Sequence, residues 1–339
     1  MISKVGIIGE GKMGTGIFNY LLDFNYELVW ICSPVADTEK INRQFGKKIK
    51  RSLDAGIIDQ SRFDKLIQTH ISKNPGDLHD CDLVIEAIPE IAAVKKELFL
   101  TLDHLVKPGA IFTSNSSSIN PSEITPPGDR GFQFSCLHFF YPVQLKNIAE
   151  INTTKKTNGS TVIALESFLQ SIQRHFITLD ERNSFVLNKI FLDIQNEAYL
   201  IVKADHCSVP QMDHLVRQTL FSFGIFDFCD SVGIDTMLAS VTNYTRDYPH
   251  RDYYASFIAG LNKLVMEGKF GIKSQEGFYK YPMEEVLIND FPASDSIAEH
   301  LRQTWLSASK RFAAQTHLPI EDMNRAIKEY FGTENGPFG

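Results

Sequence analysis

Three glycines near the amino terminus have the spacing of a dinucleotide-binding loop. Gly9, Gly11 and Gly14 form the pattern G-x-G-x-x-G, with Met13 before the last glycine. The first glycine of such a loop permits a tight turn, the second lets a pyrophosphate approach the backbone, and the third lets the following helix pack closely on a sheet. The loop follows an apolar run and opens a helical stretch, which is the context in which this pattern indicates dinucleotide binding. A glycine-rich loop without a ligand is the alternative.

The residue that would contact the adenosine ribose does not select one nicotinamide cofactor. In NAD sites the second strand usually ends in Asp or Glu, whereas here it ends in the sequence ICSP, with Cys32 at the expected position. No carboxylate follows before Asp37. Basic residues that could hold a 2′-phosphate, Lys40 and Arg43, come only later. NAD is the expected cofactor, and NADP stays open.

The elements around the loop predict a Rossmann fold. The apolar runs Lys4–Gly9 and Glu27–Cys32 flank the helical stretch Thr15–Asp23, which makes a βαβ unit. Further strands are predicted at Asp82–Ala87, Ala110–Ser114 and Phe132–His138. Strands that alternate with helices favour a doubly wound parallel sheet, and therefore an α/β class.

The chain becomes mostly helical after Arg182. Helices are predicted at Phe185–Ala204, Gln211–Leu220, Tyr253–Met266 and Ser296–Tyr330. We therefore expect a nucleotide-binding domain at 1–182, a helical substrate and dimerisation domain at 183–285, and a helical extension at 286–339. The segments that begin at His206 and His317 can be aligned with each other, so the extension is either a partial repeat or an unrelated amphipathic helix.

Composition excludes several classes of function. The net charge is −7, which argues against a nucleic-acid partner. The five cysteines form no Cys-x-x-Cys pair, so no metal site is expected. No run approaches the roughly 20 apolar residues that span a bilayer, and no signal peptide is recognisable. We expect a cytoplasmic protein without a membrane partner.

Seven motifs occur in an order and spacing that resemble those of the 3-hydroxyacyl-CoA dehydrogenase family over residues 1–281. They are GEGKMGTGI from Gly9, DLVIEAIPE from Asp82, SNSSS from Ser114, HFFYPV from His138, NIAEI from Asn147, FVLNK from Phe185 and GFYKY from Gly277. The resemblance implies a Rossmann domain followed by an all-α domain like that of 6-phosphogluconate dehydrogenase. It also implies an acyl-CoA substrate, a place in fatty acid metabolism and a homodimer.

The resemblance assigns catalytic roles to four residues. His138 matches the catalytic base and Glu150, twelve residues later, its carboxylate partner. A neutral imidazole can take the proton of a secondary alcohol, and a carboxylate can fix its tautomer and stabilise the imidazolium. Ser117 and Asn188 match the two contacts to the substrate oxygen, where donors stabilise developing charge. On the residues alone, His138 would be a strand-end histidine with a structural hydrogen bond.

Other positions match the cofactor and CoA sites of the family. The cofactor-side matches are Ala87, Glu90, Lys95 and Lys273. The matches to the region that meets the CoA phosphates are Lys47, Lys48 and Lys50. A basic run of this kind is otherwise a solvated helix face.

Two alternative functions share the fold. One is a dehydrogenase of a CoA-free 3-hydroxy acid, such as a sugar acid or carnitine, but the sequence HFFYP favours the acyl-CoA class. The other is a catalytically silent nucleotide-binding protein, which departures such as Cys32 and Tyr141 would favour and the His138–Glu150 pair opposes.

Overall fold

A computed structural model describes residues 2–248, 250–283, 291 and 294–339. The chain divides into two compact units, a first unit Met1–Ser184 and a second unit Phe185–Gly339. The domain boundary predicted between residues 285 and 286 lies outside the described residues. The extension as a separate domain therefore stays a prediction.

The first unit is built around an eight-stranded sheet. Its strands are β1 (Lys4–Ile8), β2 (Glu27–Ile31), β3 (His70–Ser72), β4 (Leu83–Glu86), β5 (Ile111–Ser114), β6 (Phe134–Phe139), β7 (Ile148–Asn152) and β8 (His175–Leu179). They lie in the order β3-β2-β1-β4-β5-β6-β7-β8. All neighbours are parallel except β6 and β7, which are antiparallel. The predicted Rossmann class is confirmed, and the last two strands, β7 and β8, run in the direction opposite to the other six.

The strand order reverses between β1 and β4, which places a ligand site at their carboxyl ends. Both strands are apolar apart from Lys4 and Glu86 and are almost wholly buried, as expected for the centre of a parallel sheet. The helices of this unit are α1 (Lys12–Leu21), α2 (Thr38–Asp54), α3 (Gln60–Leu66), α4 (Ala92–Leu105), α5 (Pro121–Ile124) and α6 (Gly159–Ser171). In α1, Phe18 stacks on Trp30 of β2 with ring centroids 4.3 Å apart, which fixes the helix against the sheet.

The second unit is helical over its described residues. Its α-helices are α7 (Val186–Lys203), α8 (Val209–Thr219), α9 (Ile225–Val232), α10 (Ile234–Thr245), α11 (Ala255–Met266), α12 (Ser294–Thr316) and α13 (Ile320–Phe331). Much of the surface of α7 is buried, and α12 packs along it. The predicted all-α second domain is confirmed.

The last predicted helix was wrong in one respect. The stretch Ser296–Tyr330 is two helices, because α12 ends at Thr316 and α13 begins at Ile320. Pro319 lies between them; proline has no N–H to donate and disfavours helical geometry at the residue before it. The turn also holds His317 at a positive φ of 55°.

A buried carboxylate joins three segments of the second unit. Asp213 of α8 is 0% exposed. Its oxygens accept hydrogen bonds from the first three amides of α9 (2.7, 2.9 and 2.9 Å) and from the hydroxyl of Tyr279 (2.8 Å). The carboxylate therefore caps α9 and ties the GFYKY motif to α8.

Three further observations concern the part of the chain that the structure describes. No helix there is long and apolar enough to cross a bilayer. No group of histidine, cysteine or acidic side chains there could hold a metal ion. The cysteines are buried and unpaired.

Candidate active site and dinucleotide loop

The glycine loop is closed towards the sheet and open towards the outside. A Cβ at Gly9, where φ is 110°, would lie 2.5 Å from the carbonyl oxygen of Ala87, and one at Gly14 would lie 2.1 Å from that of Gly9. A Cβ at Gly11 would meet no atom within 4 Å. Gly11 is also the N-cap of α1 and makes no side-chain cap. The loop therefore fits a pyrophosphate, which would approach at Gly11 and face the amino end of α1.

The side chain of Cys32, which follows β2, is buried. Cys32 packs in the hydrophobic core with 3% exposure, and burial raises the pKa of its thiol to about 11. Beside it, Glu10 of the glycine loop accepts hydrogen bonds from the amide (2.9 Å) and the hydroxyl (2.5 Å) of Ser33. Burial acts against ionisation of Glu10, but the bonds from Ser33 prevail and lower its pKa. Glu10 is thus a carboxylate at neutral pH.

His138 and Glu150 are brought together by the antiparallel pairing of β6 and β7 in the sheet. They lie directly opposite each other in β6 and β7, and Nδ1 of His138 is 2.9 Å from Oε2 of Glu150. The two residues are 4% and 0% exposed. With the Nδ1 proton donated to the carboxylate, the lone pair of the ring lies on Nε2. The pair has the geometry of an oriented general base.

Asn115, which the sequence analysis missed, anchors the strand that carries the histidine. It follows β5, and its side-chain oxygen accepts a hydrogen bond of 2.8 Å from the amide of Phe139, the residue after His138. Its own amide donates to the carbonyl oxygen of Glu86 at 2.7 Å. The carboxyl ends of β4, β5 and β6 are therefore tied together at the site.

Glu90 holds the loop that carries Ser117. Its Oε1 accepts hydrogen bonds from the hydroxyl of Ser116 (2.6 Å), the amide of Ser117 (3.0 Å), and the amide and hydroxyl of Ser118 (both 3.1 Å). Burial opposes the charge, but the Lys95 ammonium and these donors hold the pKa of Glu90 below its usual value. Ser117 is half-buried between buried serines. Glu90 therefore fixes the backbone of the loop that carries Ser117.

Lys95 is a buried cation shared by two carboxylates. Its Nζ lies 2.6 Å from Oε1 of Glu86 and 3.4 Å from Oε2 of Glu90, and its side chain is 1% exposed. Glu86 also accepts from the hydroxyl of Ser114 (2.5 Å) and the amide of Ile88 (2.7 Å). Glu86 was missed as well, although an acid that directly follows the apolar residues LVI of a predicted buried strand was a usable signal.

The local contacts of three further predicted cofactor-side residues, Met13, Ala87 and Lys273, do not indicate a role in binding. Met13 is partly buried against the core of the first unit. Ala87 follows β4, and its amide donates to the carbonyl oxygen of Ile8 at 2.8 Å. In the second unit, Lys273 is half-exposed, and its Nζ lies 2.5 Å from an oxygen of Asp235.

The basic run lies on the outer face of α2. Lys47, Lys48 and Lys50 are exposed. Lys47 and Lys48 line an open surface depression of about 520 Å³ together with Arg51, whereas Lys50 is not part of its lining. This depression offers a concentration of positive charge of the kind that a phosphate group prefers.

Asn188 belongs to the second unit, in the first turn of α7. Its amide nitrogen donates to the hydroxyl of Tyr244 at 2.9 Å, and its oxygen accepts from the hydroxyl of Tyr330 at 3.0 Å. Tyr330 lies in α13, so the carboxyl-terminal helix orients this amide.

Two family models match the chain in succession. The "3-hydroxyacyl-CoA dehydrogenase, NAD binding domain" covers residues 4–182, and the "3-hydroxyacyl-CoA dehydrogenase, C-terminal domain" covers residues 185–281. A curated protein of Deinococcus radiodurans, "Probable 3-hydroxybutyryl-CoA dehydrogenase", is 30% identical over 284 residues, which is 82% of this chain and 100% of that protein.

Solved structures agree with these matches. The (S)-3-hydroxybutyryl-CoA dehydrogenase of Ralstonia eutropha is 25% identical, with a TM-score of 0.73 over 83% of this chain and 99% of its own. The 3-hydroxybutyryl-CoA dehydrogenase of Escherichia coli is 16% identical and shares the fold, with a TM-score of 0.81 over 99% of this chain and 90% of its own. The second alignment extends beyond residue 281, where the family models end.

Proposed function

This chain belongs to the 3-hydroxyacyl-CoA dehydrogenase family, and from this premise we propose that it interconverts a 3-hydroxyacyl-CoA and a 3-oxoacyl-CoA with NAD. The observation that carries the proposal is the buried cross-strand pair of His138 and Glu150, 2.9 Å apart. The open glycine loop at α1 supports a dinucleotide in the same unit. When bound, NAD accepts the hydride that leaves carbon 3 of the substrate.

In the oxidative direction, His138 takes the proton of the 3-hydroxyl group at Nε2 while the C–H bond gives up its hydride. The ring becomes an imidazolium, which Glu150 stabilises through the Nδ1–H bond. In the reductive direction, the same imidazolium returns its proton to the oxygen. Glu150 would also hold the ring in this orientation, because the two side chains are buried and lie opposite each other on the neighbouring strands β6 and β7.

Two further donors belong to this proposal. The Ser117 hydroxyl, placed by Glu90, would donate to the substrate oxygen and favour the charge that develops there. Asn188 is the second predicted donor to this oxygen. Ala87, Glu90, Lys95 and Lys273 remain the predicted cofactor-side residues. Of these, Lys95 would act by positioning Glu90, since its ammonium is buried between carboxylates.

The phosphates of CoA would bind the basic face of α2. Lys47, Lys48 and Lys50 are the predicted contacts, and the depression at Lys47 and Lys48 supports the first two. Arg51, which lines the same depression, would add a bidentate donor.

A homodimer in the cytoplasm completes the proposal. Within one chain, α12 and α13 pack on α7, so a dimer interface would not include the part of α7 that these helices cover. Light scattering of the purified chain tests the dimer, and a monomer at micromolar concentration would contradict it. Fractionation of the cells tests the location.

Absorbance of reduced nicotinamide, followed with acetoacetyl-CoA and then with acetoacetate, tests the substrate class. We expect NADH to be consumed with acetoacetyl-CoA and far more slowly with acetoacetate. Equal rates would favour a CoA-free substrate, and no consumption with any acyl-CoA would favour a silent homologue.

A further inference from the structure

The first unit lacks the usual carboxylate at the position that reads the adenosine ribose. Cys32 occupies that position at the end of β2, and its side chain packs in the core. The next acid along the chain, Asp37, is the N-cap of α2 and accepts a hydrogen bond of 2.9 Å from the amide of Lys40. Cys32 therefore offers no carboxylate at the strand end, and Asp37 lies five residues further along the chain, at the start of α2.

A carboxylate from a different element reaches this strand end. Glu10 stands between Gly9 and Gly11 in the glycine loop, and its two oxygens accept hydrogen bonds from the amide and the hydroxyl of Ser33. The amide of Gly9 donates to the carbonyl oxygen of Ile31 at 2.8 Å, which ties the loop to the last residue of β2. The Glu10 carboxylate thus lies beside the residue that directly follows Cys32.

We propose that Glu10 supplies the ribose-binding carboxylate and makes the site select NAD(H) over NADP(H). Each oxygen of a carboxylate accepts about two hydrogen bonds. Ser33 uses one on each oxygen of Glu10, so both keep capacity for a ribose hydroxyl. The negative charge would repel a 2′-phosphate at the same place. This inference rests on the proposed function only in that it requires a dinucleotide at the glycine loop.

Cationic side chains near the end of β2 could instead favour NADPH over NADH. The ammonium of Lys73 lies 3.0 Å from the carbonyl oxygen of Pro34, two residues beyond Cys32. Lys40 and Arg43 are exposed on α2. These three could hold a 2′-phosphate if Glu10 did not face the ribose, so the sign of the cofactor preference separates the two arrangements.

Dissociation constants of NADH and NADPH, measured by calorimetry without substrate, test the proposal in the full chain. We expect the native protein to bind NADH at least about tenfold more tightly, a difference of about 1.4 kcal/mol. Glu10→Gln keeps the length of the side chain and an acceptor for Ser33 but removes the charge. It should narrow the ratio of the two constants by about tenfold, mainly through tighter binding of NADPH.

The matched control is Glu27→Gln at the opposite end of β2, where Glu27 is exposed and pairs with Lys4. It removes the same charge and should leave the ratio unchanged. A native preference for NADPH, or an unchanged ratio in Glu10→Gln with unaltered thermal unfolding, would overturn the proposal.

The two proposals can fail separately. A preference for NADH over NADPH that Glu10→Gln reduces, without turnover of acetoacetyl-CoA, would refute the proposed activity and support the role of Glu10. If acetoacetyl-CoA is turned over but Glu10→Gln does not change the ratio of the NADH and NADPH dissociation constants, the proposed activity is supported and the role of Glu10 is refuted. A protein that binds neither dinucleotide would overturn both.

Discussion

Replacing Lys95 with methionine tests how the buried charges beside β4 are balanced. The ammonium lies 2.6 Å from Oε1 of Glu86, and the two side chains are 1% and 0% exposed. Methionine keeps an unbranched apolar stem but removes the charge, so Glu86 is left buried without its cation. Removing one partner of a buried ion pair typically costs about 3–5 kcal/mol.

Protonation of Glu86 limits this loss and gives it a pH dependence. Burial raises the pKa of Glu86, against the lowering effect of Lys95, so without Lys95 the pKa rises further. Protonating a carboxylate costs about 1.4 kcal/mol for each pH unit above its ordinary pKa, at most roughly 4 kcal/mol at pH 7 and roughly 1 kcal/mol at pH 5. When the pKa of a carboxyl group is higher in the folded than in the unfolded state, the folded protein becomes less stable as the pH rises. The deficit of the variant should therefore be about 3–4 kcal/mol at pH 7 and shrink towards pH 5.

Tryptophan fluorescence can follow the first unit alone. Of the two tryptophans, Trp30 lies in β2 and Trp305 in α12, so urea unfolding in a Trp305→Phe background reports on β2. Lys96→Met is the matched control, because Lys96 is the neighbouring exposed lysine of α4, where a substitution changes stability by less than about 0.5 kcal/mol. A loss equal to that of the control, or one of the same size at pH 5 and pH 7, would refute the reasoning.

Three further substitutions test other parts of the molecule. His138→Gln should lower kcat by about 10²–10⁴-fold through loss of the base, with the Kd for NADH in a fluorescence titration unchanged; a variant that keeps most of its kcat would refute the role. Tyr330→Phe removes the hydrogen bond to the Asn188 oxygen and should raise the KM for acetoacetyl-CoA by about fivefold with NADH affinity unchanged; an unaltered KM would show that this bond does not orient a substrate contact. Asp213→Ala leaves the capped amides of α9 without their acceptor and should cost the second unit about 3 kcal/mol or more in urea unfolding followed through Trp305, whereas exposed Asp252→Ala should cost little.

Local features of the fold were predictable because they depend on neighbouring residues. The spacing of the loop glycines reflects a local steric requirement, because a Cβ at Gly9 or Gly14 would collide with backbone atoms. Apolar runs such as DLVIEA can be read as buried strands for the same reason. Pro319 was a local signal for the break between α12 and α13. The break was missed because the helical periodicity continues on both sides of it.

Contacts between distant segments were not predictable from the residues alone. The strand β7 has the sequence IAEIN and is buried along its whole length, so no alternation of buried and exposed positions marks it. Its antiparallel direction depends on how the chain crosses the sheet, and this direction is what sets Glu150 opposite His138. The approach of Glu10 to Ser33 likewise depends on the turn of the glycine loop against β2.

Transfer of deuterium from labelled NADH tests the central claim most directly. The purified chain would be incubated with acetoacetyl-CoA and NADH that carries deuterium at the transferable position of the nicotinamide, and the product would be examined by mass spectrometry. We expect 3-hydroxybutyryl-CoA with a single deuterium at carbon 3, and almost none of it with His138→Gln. Product without deuterium at that carbon, or no product while NADH binds normally, would contradict hydride transfer to an acyl-CoA by this protein.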